Sequence, residues 1–254
     1  DVRFKSFSLW DALEEIFKHE DNPLEAKKIV SRYAELIRIN GYNLVRMHID
    51  DVKNYTLKDK YESRMDLVDF LLSELKRNGV YVHLSLAAYD LGNDNFTKGS
   101  HDEEKIRTLL GDAQMRLAWR KDALRQLARK NKYTSLAWKD DPVFLCFEIY
   151  NELCIAMGRV DSMSAQTKSF VRERWGKWLE KKYSGSLEKV REISRKFTFA
   201  PKNELASFAD FSTDFRNPDW VRFLYENNEE FLAFAKDAVR GSGYNGILTS
   251  GKYD

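Results

Sequence analysis

At 254 residues, with 43% hydrophobic and 32% charged residues, the chain has the composition of an ordinary globular protein, which excludes the disordered and fibrous classes. Its 42 basic and 40 acidic residues leave a formal charge of only +2, so neither nucleic acid nor an anionic membrane surface is expected as a partner. No run of about 18 apolar residues occurs, and no membrane-spanning segment is expected.

The two cysteines, Cys146 and Cys154, are too few for a disulfide framework, and their spacing fits none of the usual zinc sites. They do not identify the compartment, for which an extracellular location is favoured, and the oligomeric state is left open. Aromatic residues reach 13%, a content that suits either a thick core or a site where rings stack on sugars.

The predicted elements alternate between helices and strands along the chain. Apolar residues at helical spacing predict helices, for which Ser8 is a possible first cap, Pro23 suits a first turn and Gly41 suits an end. In chain order, helices are predicted at residues 7–18, 23–40, 64–78 and 103–130, and further helices are expected to dominate residues 164–196 and 218–240. Short, largely apolar runs predict strands at residues 42–49, 80–87, 143–149 and 246–250.

Strands that are apolar on both faces and separated by helices indicate an α/β protein with a parallel sheet. We expect a (β/α)₈ TIM barrel, with residues 1–254 as part of one catalytic domain, because polar clusters follow the strands. A doubly wound sheet would place ligands at the same edge, but no glycine-rich phosphate turn follows the first predicted strand. Only four strands are convincing where a barrel needs eight, so the first strand and the last strands are expected to be missing.

The strongest local feature is the segment DDPVFLCFEIYNEL, residues 140–153, in which an apolar strand ends in Asn151 and Glu152. Retaining glycoside hydrolysis requires a carboxylic acid that protonates the leaving oxygen and a second carboxylate, about 5–5.5 Å away, that attacks the anomeric carbon. Glu152 is placed to be the acid, and Asn151 to hydrogen-bond a sugar 2-hydroxyl. Taken alone, an Asn-Glu pair after a strand is more simply a helix-capping turn.

Three segments together resemble clan A glycoside hydrolases, the cellulase- and mannanase-like families. Residues 140–153 are similar to the acid/base strand of that clan, GYNLVRMHIDD at 41–51 to its second strand, and LVDFLLSELKRNGVYVHLSL at 67–86 to its third helix-strand unit. The resemblance extends from about residue 24 to residue 254. It implies a retaining enzyme on a barrel that cleaves β-linked sugars, with a carbohydrate substrate and no cofactor.

The resemblance also implies roles for single residues. Glu152 would be the general acid/base, Arg46 would brace the nucleophile, and His48 would lie near the sugar. The clan's nucleophile follows the seventh strand, whereas the last strand here counts as the fifth, so no residue of this chain matches it. Many relatives have histidine at the end of the third strand, where this chain has Ala87, and that substrate contact is therefore left unassigned.

Aromatic rings near these segments are candidates for stacking on a sugar. Tyr150, Trp138, Tyr89 and Trp119 are such candidates, and for each of them core or loop packing is an equally good interpretation. Tyr150 alone adjoins the Asn-Glu pair. The predicted substrate-binding residues are Arg46, His48, Asn151, Tyr150 and Trp138.

Other interpretations stay open. An arginine inside a strand implies a nearby carboxylate, since an unpaired buried guanidinium is costly. A catalytic glutamate would supply that carboxylate for Arg46, although an interior ion pair would serve as well. His48 and His83, with Asp50 or Asp51, could instead form the metal site of a metal-dependent barrel enzyme. A barrel that binds carbohydrate without cleaving it is the remaining alternative.

Overall fold

Five parallel strands lie side by side in chain order and form one sheet in the computed structural model of this protein. The strands are β1 (Ser6–Ser8), β2 (Leu44–Met47), β3 (Tyr81–Ser85), β4 (Phe144–Glu148) and β5 (Ile247–Thr249). The structure describes residues 3–9, 12–49, 60–86, 101–153, 160, 162–197 and 205–250. Helices separate successive strands, so the predicted α/β class with a parallel sheet is confirmed.

Between one and three helices of the described residues lie between successive strands. They are α1 (Ala12–Phe17), α2 (Pro23–Ile39), α3 (Tyr61–Arg77), α4 (His101–Leu109), α5 (Ala113–Ala128), α6 (Ala165–Lys182), α7 (Leu187–Ser194) and α8 (Pro218–Gly241). Short 3₁₀ turns lie at Trp138–Asp140 and Phe208–Asp210. None of these helices combines the length and apolar character that crossing a bilayer requires.

Helix α2 shows how local sequence sets the element boundaries. The Asn22 side chain accepts a hydrogen bond from the Glu25 N–H, and Pro23 occupies the first turn, where its missing N–H costs nothing. Gly41 follows the helix with φ +78°, a conformation that glycine adopts without strain. Between these ends, one apolar face is buried, formed by Ala26, Val30, Ala34 and Ile37.

The start of the chain differs from the prediction of a helix over residues 7–18. Ser6–Ser8 is a strand, with Phe7 in register with Val45, and Ser8 is its last residue rather than a helix cap. The helix begins only at Ala12. The expectation that the first strand is missing is therefore wrong. All three residues of β1 are exposed, so no apolar alternation marks the strand, and its hydrogen bonds to β2 hold it in place.

One predicted helix is broken by a glycine with positive φ. The helix expected over 103–130 is interrupted by Gly111, with φ +84°, and α5 restarts with Asp112 accepting hydrogen bonds from the Gln114 and Met115 N–H groups. Over 164–196, where helices were expected, α6 ends at Lys182, and Gly185 with φ +76° separates it from α7. Both glycines act as C-terminal stops.

The chain divides into two units. The first unit contains the sheet and comprises residues 1–95, 117–152 and 235–253; the second comprises residues 96–116, 153–234 and 254. In the second unit Trp175 is fully buried, packs edge-on against Trp220 at 5.2 Å between ring centroids, and donates its indole N–H to the Phe211 carbonyl at 2.9 Å. This aromatic cluster forms the core of the second unit.

One face of the sheet in the first unit is apolar. Its side chains are at most 1% exposed, and they are Val45, Met47, Val82, Leu84 and Phe147. Burying large aliphatic and aromatic side chains of this kind contributes about 1.5–3 kcal/mol each. The residues that alternate with them point to the opposite face of the sheet, which carries polar side chains.

Candidate active site

Polar side chains share the other face of the sheet towards its C-terminal edge. The register pairs Arg46 of β2 with His83 of β3, and Glu148 of β4 with Thr249 of β5. His83 is also in register with Cys146, two residues before Glu148. Residues paired across neighbouring strands point to the same face, and alternate residues along a strand return to it. The five side chains therefore form one polar layer on the sheet.

Arg46 of β2 is held by a carboxylate from β4, two strands away in the sheet. Its Nη2 donates to both oxygens of Glu148, at 2.9 Å and 2.8 Å, and its Nε donates to Oε2 at 3.2 Å. Nη2 also donates to Asn151 Oδ1 at 2.7 Å. The Glu148 side chain is only 1% exposed, so these charge-assisted bonds compensate for removing its charge from water.

Glu148 is the residue that sequence reasoning missed. A catalytic glutamate was expected to supply the carboxylate partner of Arg46, but the partner is Glu148, the buried last residue of β4. The available signal was the acidic residue within the apolar run VFLCFEI, which is costly to bury unless a cation neutralises it. Arg46 was the cation that the same argument required.

Glu152 follows the strand in a strained backbone conformation. Its φ is +53°, in the left-handed region that costs an L-residue roughly 1–2 kcal/mol. Its side chain is half-buried, whereas the preceding Asn151 is 3% exposed. Non-glycine residues hold such a conformation only where neighbouring contacts impose it, and they concentrate at functional sites. The strand thus delivers a partly accessible carboxyl group at the sheet edge.

His83 is neutral in this environment. Its Nε2 lies 3.4 Å from Glu148 Oε2 and 3.3 Å from Thr249 Oγ1. Burial lowers the pKa of His83, and the neighbouring Arg46 charge acts in the same direction; together they bring it to about 4. Near neutral pH, His83 therefore contributes hydrogen bonding beside Glu148 without adding a second positive charge.

Cys146 adds an uncharged thiol to the layer. Burial raises the pKa of Cys146 to about 11, and the Glu148 carboxylate contributes to the same rise. A thiol with this pKa stays protonated near neutral pH and is a poor nucleophile. Cys154 lies outside the described residues.

Two further predicted site residues lie beside this layer along the chain but are buried. His48 directly follows β2 and is 5% exposed, and Tyr150 immediately precedes Asn151 and is 2% exposed. A ring with so little exposed surface does not present a face on which a sugar can stack in this conformation. Tyr150 consequently packs within the protein, and any contact of His48 with a ligand would require a movement of its surroundings.

Trp138 is not part of the group, which corrects its assignment to the substrate site. It lies in the 3₁₀ turn before β4, at the opposite end of that strand from Asn151. The ring is fully buried, and its indole N–H donates to Asp69 Oδ1 at 3.0 Å. Trp119 is also fully buried and donates to the Ile149 carbonyl at 3.2 Å. Both tryptophans therefore serve packing, the alternative left open for them.

Some predictions concern residues outside the described part of the chain. Asp50 and Asp51, which would complete the alternative metal site with His48 and His83, are among them, as are Tyr89 and Ala87. Among the described residues, no group of three or more histidine, cysteine, aspartate or glutamate side chains is arranged to hold a metal ion.

Comparisons with known proteins give remote structural likenesses. No family model matches the sequence, and no curated protein matches it. Among solved structures, an endo-1,4-β-mannanase from Rhizomucor miehei is 18% identical and matches over 50% of this chain and 40% of its own, with a TM-score of 0.39. An endo-β-1,4-mannanase from Thermotoga petrophila is 14% identical and matches over 80% of this chain and 41% of its own, with a TM-score of 0.43.

A third likeness covers nearly the whole chain. A glycoside hydrolase family 5 mannosidase from Rhizomucor miehei is 14% identical over 98% of this chain and 67% of its own, with a TM-score of 0.42. The chain spans about two fifths of the length of the first two structures. The geometry of the sheet edge, and not these likenesses, supports the function that follows.

Proposed function

We propose that the chain is part of a retaining β-glycoside hydrolase in which Glu152 is the general acid/base. The five strands would be the first five of a (β/α)₈ barrel, with residues 1–254 in one catalytic domain. The observation that carries the proposal is the 2.7 Å hydrogen bond from Arg46 to Asn151, which ties a guanidinium from β2 to the residue before a half-buried glutamate. The segment resemblance to clan A supplies the reaction type.

Two carboxyl groups, Glu148 and Glu152, lie near this edge, and their environments assign different roles to them. Both oxygens of Glu148 accept hydrogen bonds from Arg46, so Glu148 is ionised and has no proton to donate. Within the described residues, the carboxyl group of Glu152 takes part in no hydrogen bond or ion pair. Of these two groups, we therefore assign to Glu152 the delivery of a proton to a leaving oxygen and the later acceptance of one from water.

The neighbouring residues would orient the sugar. Because Asn151 Oδ1 accepts from Arg46, the group that Asn151 would turn towards a sugar 2-hydroxyl is its NH₂. The nucleophilic carboxylate is assigned to no residue of this chain and is expected from a strand beyond residue 254. Arg46, with Nε and Nη2 engaged, has Nη1 without a hydrogen bond among the described residues, and that nitrogen could face this carboxylate.

The test compares Glu152→Gln with the wild type in the full-length protein on β-glucan, β-mannan and β-galactoside substrates. Hydrolysis of bonds with poor leaving groups should fall by about 10²–10⁴-fold, because general acid catalysis is lost. Glu35→Gln, which removes an exposed carboxylate paired with Arg32 on α2, is the matched control and should retain activity. Unchanged turnover in Glu152→Gln would refute the assignment. Saturable sugar binding without turnover in the wild type would favour the non-catalytic alternative.

A further inference from the structure

We propose that Glu148 is a positioning residue for the acid/base: by fixing Arg46 it fixes Asn151, and through Asn151 it holds Glu152 in its strained backbone conformation. The inference rests on the proposed role of Glu152. It assigns a function in catalysis to a buried residue that touches neither the substrate nor the reacting atoms.

The first link is the hold of Glu148 on Arg46. The Arg46 side chain is 28% exposed and Glu148 is 1% exposed, so the arginine has access to water and the glutamate does not. Without the carboxylate, the guanidinium would gain solvation by turning outwards. The guanidinium binds the carboxylate through two nitrogens, Nε to Oε2 and Nη2 to Oε1, and this pair of bonds fixes both the position and the plane of the guanidinium.

The second link is the hold of Arg46 on the turn. Arg46 Nη2 donates to Asn151 Oδ1 at 2.7 Å and also to Glu148. One nitrogen of Arg46 therefore connects the last residue of β4 to the turn that follows it. Asn151 is directly bonded to Glu152, whose φ is +53°. A left-handed residue without glycine's freedom relaxes unless its neighbours restrain it, and the Asn151 side chain provides such a restraint.

The third link is His83, which limits the alternatives for Glu148. Its Nε2 lies 3.4 Å from Glu148 Oε2, on the side of β3, between the strands that carry Arg46 and Glu148. Because this imidazole is neutral, it does not compete with Arg46 as the charged partner. Of these two neighbours, Arg46 is therefore the charged partner of Glu148.

The experiment separates positioning from a purely structural role by varying the leaving group. Glu148→Gln is made in the full-length protein and assayed on an unactivated β-glycoside and on a dinitrophenyl β-glycoside, which departs without protonation. For the unactivated substrate, kcat/KM should fall about 100-fold, because a misplaced acid loses most of its effect. For the dinitrophenyl substrate, kcat/KM, which reports the glycosylation step alone, should change less than about threefold. Loss of a merely structural contact would lower both rates in parallel.

The matched control is Glu20→Gln. Glu20 is a buried carboxylate that is likewise forked to an arginine, with Oε2 accepting from Arg64 Nε at 2.7 Å and Oε1 from Nη2 at 3.1 Å. Its substitution should lower the midpoint of thermal unfolding without a leaving-group-dependent change in rate. An equal fall on both substrates in Glu148→Gln, or no fall, overturns the inference.

A second variant covers the case in which Glu148→Gln does not fold because Arg46 is left without its counterion. The double variant Arg46→Met, Glu148→Met removes both charges, and such apolar replacements of buried pairs usually preserve folding. Because Arg46 is also assigned to bracing the nucleophile, kcat/KM should fall on both substrates but fall further on the unactivated one; equal falls would overturn the inference. If Glu152→Gln shows selective loss but the Glu148 variants do not, the acid assignment stands and only the positioning role fails.

Discussion

Asn151 accepts a 2.7 Å hydrogen bond from Arg46, a residue 105 positions earlier in the chain. The bond connects the end of β4 to the polar face of β2, across β3. It joins two residues that sequence reasoning had selected separately, one from its place inside an apolar strand and the other from its place before a glutamate. Their contact ties the polar face of the sheet to the turn that carries Glu152.

Asn151→Ala is expected to lower kcat/KM about 100-fold, because Arg46 loses its contact with the turn and the sugar loses a donor. The lost charge-assisted bond should also cost roughly 1–3 kcal/mol of stability. Asn151→Asp retains an acceptor for Arg46 but lacks the NH₂ group. It should recover the stability and not the activity, as measured by chemical denaturation and steady-state kinetics. Full activity in Asn151→Asp would contradict the role of the NH₂ group.

His83 predicts a specific acid sensitivity. The pKa of His83 is about 4 in the folded protein, below the ordinary value of 6.5. Between these two pH values, the unfolded chain binds a proton at His83 that the folded chain does not. The free energy of unfolding should therefore fall as the pH is lowered from 6.5 to 4, with about 3 kcal/mol from this group.

The His83→Gln variant isolates that contribution. Urea unfolding of both proteins at several pH values should show a shallower dependence for the variant over this interval. A parallel dependence of the two proteins would show that His83 does not contribute in this way.

Trp138→Phe tests the removal of this residue from the substrate site. The substitution deletes the indole N–H that Asp69 accepts, while Arg129 remains bonded to the same carboxylate at 2.8 Å. We expect a loss of about 1–3 kcal/mol in stability from the unpaired acceptor and a KM within twofold of the wild type. An increase in KM without a stability change would restore the earlier assignment.

Gly111→Ala should destabilise the protein by about 1–2 kcal/mol through its positive φ. An added Cβ would also lie 2.8 Å from Arg174 Nη2, the end of a flexible side chain. Gly79→Ala is the control, since its φ is +70° and a Cβ there would meet nothing within 4 Å. Thermal unfolding should give similar losses for both, with any excess in Gly111→Ala reporting the displacement of Arg174. Greater stability of either variant would contradict the strain argument.

Periodicity predicted the elements that bury a regular apolar surface. The four predicted strands correspond to β2–β5, and the predicted helices over 23–40 and 218–240 correspond to α2 and α8. Periodicity failed where hydrogen bonds to the backbone of a neighbouring strand determine the local structure. Ser6–Ser8 has no buried side chain and becomes a strand only because β2 provides hydrogen-bonding partners. Gly111 was visible in the sequence, but the apolar pattern on both sides of it concealed the break.

The site residues divide in the same way. Glu152 and Asn151 could be placed because residues after a parallel strand reach its C-terminal edge. The same rule argues against Trp138, which precedes its strand and therefore lies at the opposite edge. Glu148 was hidden because a single charge within an apolar strand reveals its partner only when the register is known. The contact with Arg46 spans 102 positions and depends on the order of the strands.

The protonated thiol of Cys146 gives the protein an internal reporter. A sulfhydryl whose ionisation is suppressed and whose surface is 6% exposed reacts with alkylating reagents mainly during brief openings of the surrounding structure. Its labelling rate therefore measures how often the segment beside Glu148 separates from its neighbours. Mass spectrometry of alkylated peptides would follow the local opening of this part of the sheet without an engineered label.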